Sequence, residues 1–176
     1  GRIKATSRYV LKTSSDDDAL KRFQQLWTRY WVPVFSVYRR EDYLWALKQV
    51  YAIALEPLRE ITLSSLNLIK GKSMTLDGLY LIRQIHNQRY FNPSFMNLIL
   101  LPVWSEAVAE IRQIMTVVLK EYSTAPDQVI NQAVHDALMV FLTRSARCST
   151  ESANGHDQRK LSQDMRQLLR RLPDPI

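Results

Sequence analysis

The first residues of the chain alternate between two kinds of side chain. One set is Ile3, Ala5, Ser7, Tyr9 and Leu11, and the other is Arg2, Lys4, Thr6, Arg8, Val10 and Lys12. A period of two is typical of a β-strand with one buried face. We therefore predict a strand over residues 2–12, the only clear strand in the sequence.

From there on, apolar side chains recur at the three- and four-residue spacing of amphipathic helices. The first helix is expected to begin at residues 16–18, three aspartates that suit the positive end of a helix dipole, with Ser14 or Ser15 as its cap. Pro33 is expected to end it. Its inward side chains would be Leu20, Phe23, Leu26, Trp27 and Tyr30.

A second helix is predicted to begin at Glu41 and Asp42. Pro57 either kinks it or ends it and begins another, because proline removes a backbone donor and clashes with the preceding turn. The predicted apolar stripe is Tyr43, Leu44, Leu47, Val50, Tyr51, Ala54 and Leu55, followed by Leu58, Ile61, Leu66 and Ile69.

Residues 72–92 fit a strand and a helix equally well. Beyond them the spacing predicts a short helix over 95–101, a helix that starts at Ser105 and another over 123–148. Their inward side chains would be Val108, Ile111, Met115, Val118, Leu119, Val129, Ile130, Val134, Leu138, Phe141 and Leu142. We predict one helical domain over 1–148, a linker over 149–159, and a C-terminal helix and tail over 160–176.

The charge of the chain favours a polyanionic partner. Lys and Arg total 24 against 17 Asp and Glu, a net charge of +7, although net charges of roughly 2–8 are also ordinary on soluble domains. Cys148 is the only cysteine, which excludes an internal disulfide and suits a reducing, cytoplasmic compartment. No apolar run approaches the ~18 residues of a membrane span, and the N-terminus lacks a signal-peptide pattern.

The sequence contains no pattern typical of catalysis. His86, His135 and His156 lie far apart and lack metal-ligand spacing. Four glycines in the whole chain do not form a phosphate-binding loop. Arg144 and Arg147 lie near Cys148, but an incidental thiol is the simpler interpretation. We therefore expect a protein that is not an enzyme and has no cofactor or metal.

The predicted strand suggests how the protein would recognise DNA. A lone strand has unpaired backbone edges, and a simple partner is the same strand of a second copy. Two strands would form an antiparallel ribbon that fits the major groove, with Arg2, Lys4, Thr6 and Arg8 facing outward. The alternatives are an edge strand protected by its charges, or a strand paired with residues 78–90.

Strand, helix, loop and helix follow one another in the order of a ribbon-helix-helix unit, here residues 2–70. In such units the second helix begins close to a DNA phosphate. Ser36, Arg39 and Arg40 lie just before the predicted start of that helix. The fold class expected from the sequence is thus mainly α, with an N-terminal strand forming an intersubunit ribbon and about six helices.

Short motifs also resemble a known family. They are Leu26-Trp27, Asp42-Tyr43 with Trp45, Phe91-Asn92-Pro93, and a turn ending in Leu100-Leu101. The chain resembles the transfer regulators of conjugative elements and plasmids that are similar to the activator AcaB. Pro102-Val103-Trp104 departs from that pattern, where a more acidic segment is expected. The resemblance implies a ribbon-helix-helix-like DNA-binding activator of conjugation genes.

We therefore expect a sequence-specific transcriptional regulator that acts as a homodimer on double-stranded DNA, with RNA polymerase or another regulator as a further partner. Lys4, Thr6 and Arg8 would contact bases, whereas Arg2, Arg39 and Arg40 would hold phosphates. One alternative is a non-enzymatic protein-interaction module, a transfer or secretion subunit or an effector, suggested by the aromatic residues between 27 and 43. Another is a membrane-surface protein that uses the Arg-rich helix over 160–172.

Overall fold

The computed structural model describes residues 12–28, 33, 36–75, 99 and 101–151, with residues 144–151 described by their backbone alone. This part of the chain contains five helices. They are α1 (Ala19–Thr28), α2 (Arg40–Val50), α3 (Glu56–Lys70), α4 (Trp104–Tyr122) and α5 (Asp127–Glu151). None of these helices is both long enough and apolar enough to cross a membrane.

Helix α3 lies at the centre of the fold, packed against α1, α2 and α4. Its side chains are buried on every side, as expected for a helix with neighbours all around it. The buried set is Leu58, Ile61, Thr62, Leu63, Ser64, Ser65, Leu66, Leu68 and Ile69. Thr62 and Ser65 donate their hydroxyl hydrogens to the carbonyl oxygens of Leu58 and Ile61, so these two polar groups are satisfied within the helix.

Helices α1 and α5 pack against each other through aromatic side chains. The rings of Trp27 on α1 and Phe141 on α5 meet edge to face, with centroids 5.7 Å apart. The Trp27 indole also donates a hydrogen bond of 2.9 Å to the hydroxyl of Ser65 on α3. Trp27 therefore ties three helices together at a point that is almost closed to solvent.

The start of α1 is capped by Asp18, whose carboxylate accepts a hydrogen bond of 2.9 Å from the backbone N–H of Leu20. The prediction that Ser14 or Ser15 caps this helix is wrong. Ser14 instead forms an isolated antiparallel bridge with Ser73. Each residue donates its N–H to the other's carbonyl oxygen, at 3.0 and 2.8 Å.

The predicted fold class requires a correction. The described residues hold five helices rather than about six, and no strand. Of the strand predicted over residues 2–12, residues 2–11 lie outside the described residues, and the short helix predicted over 95–101 lies largely outside them too. Ser14 lies just beyond the predicted strand and pairs with Ser73 of the same chain. Because the described residues contain no strand, the predicted fold class with an N-terminal strand in an intersubunit ribbon is wrong.

The mainly helical character is confirmed, and so are most of the predicted inward positions on α1, α3 and α4. Of the two alternatives at Pro57, the second applies, because α2 ends at Val50 and α3 begins at Glu56, which places the proline in the first turn of α3. The predicted stripe on α2 is partly wrong. Leu44 and Tyr51 are 42% and 84% exposed, whereas Ala46 and Val50 are fully buried.

Candidate nucleic-acid interface

Three predicted site residues lie at the N-terminal end of α2. Ser36 is half-buried, and its N–H donates a hydrogen bond of 2.8 Å to the carbonyl oxygen of Pro33. Arg39 is the N-cap and Arg40 the first residue of the helix, and both are exposed. No side chain caps this helix end. The structure therefore places Arg39 and Arg40 at the positive end of a helix dipole, with Ser36 in the loop that precedes them.

The loop that leads into α2 is held by an aromatic pair. The rings of Tyr38 and Tyr43 stack with centroids 5.2 Å apart, and the Tyr38 hydroxyl donates a hydrogen bond to the carbonyl oxygen of Pro33. Both tyrosines are half-buried. The two contacts fix the backbone on either side of Arg39. They therefore also fix the positions from which Arg39 and Arg40 extend.

The two acidic residues of the first turn have different surroundings. Glu41 is exposed, whereas the Asp42 carboxylate forms an ion pair of 3.0 Å with the ammonium group of Lys70 on α3. The Lys70 ammonium also lies 4.6 Å from the ring centroid of Trp45. Lys70 thus compensates the charge of Asp42. This leaves two cationic side chains and one anionic side chain exposed where α2 begins.

The same cluster extends to the end of α4. The rings of Trp45 and Tyr122 meet edge to face, with centroids 6.3 Å apart. Burial raises the pKa of Tyr122 above its usual range, and the nearby Glu121 carboxylate acts in the same direction. Trp45, Lys70 and Tyr122 therefore fix one side of α2 to the helical body and leave its opposite side facing outward.

The outward side of α2 has a mixed composition, and we call it the α2 outer face. It consists of Arg40, Leu44, Lys48 and Tyr51, all exposed. These residues are spaced by four, four and three positions, which places them in one row along a helix. Tyr51 keeps helical dihedral angles as the C-cap residue, with φ −59° and ψ −38°, so it continues the row.

Charge is distributed unevenly along the chain. Among the residues whose side chains the structure describes, acidic residues slightly outnumber basic ones. The net charge of +7 for the whole chain therefore comes from the remaining segments. Arg2, Lys4, Thr6 and Arg8 belong to one of them and lie outside the described residues. The structure consequently places only Ser36, Arg39 and Arg40 of the seven predicted site residues.

Sequence reasoning missed three residues of the α2 outer face. Lys48 went unnoticed because it stands alone among uncharged neighbours, and Leu44 and Tyr51 were assigned to the buried stripe. The signal that could have found them is Ala46, because with Val50 it sets the buried side of α2 and leaves Leu44, Lys48 and Tyr51 outward.

Within the described ranges, no three His, Cys, Asp or Glu side chains form a group that could hold a metal ion. No protein-family model matches the chain, and comparisons with curated proteins and with solved structures found no match either. The resemblance to transfer regulators therefore stays a prediction.

Proposed function

We propose that this protein binds double-stranded DNA and acts as a transcriptional regulator, with Arg39 and Arg40 holding phosphates at the start of α2. The observation that carries the proposal is the pair of exposed arginines at a helix N-terminus without a side-chain cap. Free backbone N–H groups, the helix dipole and guanidinium groups all favour a phosphate. Because Lys70 compensates Asp42, repulsion from the first turn is reduced to that of Glu41.

The uneven distribution of charge supports the same proposal. The helical body is close to neutral, so the segments that precede, interrupt and follow it carry the excess of Lys and Arg. Basic segments attached to a folded body are well suited to neutralise phosphates along a duplex. We propose that Arg2, Lys4 and Arg8 contribute to DNA binding through their positive charge. This role does not require a strand ribbon.

The proposed partners, besides DNA, are a second copy of the chain and RNA polymerase. A regulator that reads a two-part operator works as a homodimer, so we propose a dimer whose contact is something other than a ribbon. Activation of conjugation genes would add RNA polymerase as a second partner. Such a regulator acts in the cytoplasm, where the DNA is.

A salt titration tests the proposal. A labelled duplex is titrated with the protein at two or more salt concentrations, and the same is done for the variant Arg39→Ala/Arg40→Ala. Each lost phosphate contact should reduce the slope of log affinity against log salt by about 0.9. Lys21→Ala on α1 is the matched control, since it removes one exposed charge elsewhere. An unchanged slope in the double variant would contradict the role of the arginines.

A second candidate function is a protein-interaction module. It is favoured by the exposure of apolar side chains beside α2, because Val37 and Tyr51 are 91% and 84% exposed. The aromatic residues that suggested this function from the sequence give it less support. Trp27 is buried, and Tyr38 and Tyr43 stack on each other.

A further inference from the structure

We infer that α2 is the recognition helix of this protein and that its outer face reads base edges in the major groove of B-DNA. This inference rests on the proposed DNA-binding function and adds to it the element that selects sequence. Within that face, Leu44, Lys48 and Tyr51 would contact the bases, whereas Arg40 holds a phosphate.

The position of α2 in the fold permits such an insertion. Its inner side is formed by Ala46 and Val50, both fully buried against the helical body. Of the described helices, α2 packs substantially only against α3, so its outer side is not covered by another of them. Its 11 residues span about 16 Å at 1.5 Å per residue. The major groove is ~12 Å wide and admits one helix.

The composition of the face favours base edges over phosphates alone. A helix that only held phosphates would need basic side chains. Here, however, Leu44 lies between Arg40 and Lys48, and Tyr51 follows Lys48. Arg and Lys bond O6 and N7 of guanine, and apolar side chains contact the methyl group of thymine. Glu41, exposed at the start of the helix, can accept a hydrogen bond from the amino group of cytosine.

Charge complementarity identifies DNA as the occupant. The N-terminal end of the face carries Arg39 and Arg40 and the positive end of the helix dipole, and Lys48 adds a third cation. The single exposed acid of that end is Glu41, since Asp42 is paired with Lys70. When phosphates are held at the N-terminus of α2, Leu44, Lys48 and Tyr51 follow on the same side of the helix, where they can contact the bases.

The test is selection of duplexes from a random pool by the full chain, followed by affinity measurements on the selected sequence and on competitor DNA. The variants are Leu44→Ala, Lys48→Ala and Tyr51→Ala. Each should weaken binding to the selected duplex roughly tenfold, while binding to competitor DNA changes by less than threefold for the two apolar variants. Lys21→Ala and Val117→Ala are matched controls, because both residues are exposed on other helices.

Four results would overturn the inference. If the wild type binds no duplex at low salt, the proposed function fails and the recognition helix fails with it. If it binds duplexes without selecting any sequence, or if the α2 variants select the same sequence with unchanged affinity, DNA binding stands and the recognition helix does not. If Leu44→Ala and Tyr51→Ala alter self-association but not DNA affinity, the face contacts protein instead. Circular dichroism confirms that each variant is folded.

Discussion

The guanidinium group of Arg22 donates a hydrogen bond of 2.7 Å to the carbonyl oxygen of Leu68. Arg22 lies on α1 and is only 5% exposed, whereas Leu68 lies in the last turn of α3, where carbonyl groups lack partners within the helix. The same guanidinium bonds the carbonyl oxygens of Ile69, Asp16 and Asp17. A buried cation thus joins the entry to α1 with the end of the central helix.

Replacing Arg22 with lysine should lower the free energy of unfolding by roughly 3 kcal/mol, because an ammonium group cannot reach all four carbonyl oxygens and each buried group left unpaired costs about 1–3 kcal/mol. Urea denaturation measures the change. Arg59→Lys is the matched control, since Arg59 is half-buried and bonds the single carbonyl oxygen of Ile53. Equal losses in the two variants would show that Arg22 has no special role.

Burial lowers the pKa of Arg22, and the carboxylates of Asp18, Asp16 and Asp17 oppose that shift. The ordinary pKa of an arginine lies far above neutrality. Arg22 therefore stays protonated at neutral pH.

Two adjacent serines on α3 should respond to alanine in opposite ways. The buried Ser64 hydroxyl has no hydrogen-bond partner among the described residues, so Ser64→Ala should leave stability unchanged or raise it by up to about 1 kcal/mol. Ser65 accepts the hydrogen bond from the Trp27 indole. Ser65→Ala should cost roughly 1–2 kcal/mol, because the indole N–H loses its partner. Thermal denaturation of both variants checks this, and the reverse order would refute it.

The exposed pair of Lys72 and Asp17 predicts a pKa change. The hydrogen bond and the charge of Lys72 lower the pKa of Asp17 below its ordinary value. The pair therefore stabilises the fold at neutral pH, and its contribution is lost as the pH falls through the ordinary range of an aspartate into the lowered one. Lys72→Ala should raise the pKa of Asp17 toward its ordinary value, as measured by NMR titration. Lys48→Ala should leave the pKa of Asp17 unchanged, because Lys48 is not among the groups that shift it.

Cysteines at positions 14 and 73 should form a disulfide within one chain. Hydrogen-bonded antiparallel pairs have Cα atoms about 5.5 Å apart, inside the range that a disulfide spans. The variant Ser14→Cys/Ser73→Cys needs Cys148→Ser as its background, because Cys148 is the native cysteine. Oxidation should give a monomer that migrates faster in a non-reducing gel. Covalent dimers as the main product would instead support pairing between two copies.

The helices could be predicted from the sequence because burial on one side repeats every three to four residues. Phe23, Ile61 and Met115 follow that period, and all are buried. Leu44 and Tyr51 could not be placed, since an apolar residue at helical spacing is equally compatible with either side of a peripheral helix. The partner of Ser14 was also beyond reach, because the bridge joins residues that are far apart in the chain.

The candidate site was predictable only in part. Arg39 and Arg40 were identified because they precede the acidic start of α2, and the structure indeed places them at that helix end. The compensation of Asp42 by Lys70 depends on how α2 and α3 pack, and no local pattern specifies that contact. The same holds for Lys48, which belongs to the α2 outer face only because Ala46 and Val50 point inward.

The central position of α3 has a consequence for how the chain folds during synthesis. Helix α3 needs α4 to cover one of its sides, yet α4 begins more than 30 residues after α3 ends. While that stretch is being made, α1 and α2 are the only described helices available to pack on α3, and the side that α4 covers in the folded chain lacks that helix. Chains of this kind are prone to aggregate until the missing helix arrives. A fragment that stops before Trp104 would keep that vulnerability permanently, so the first three helices are not an independent unit.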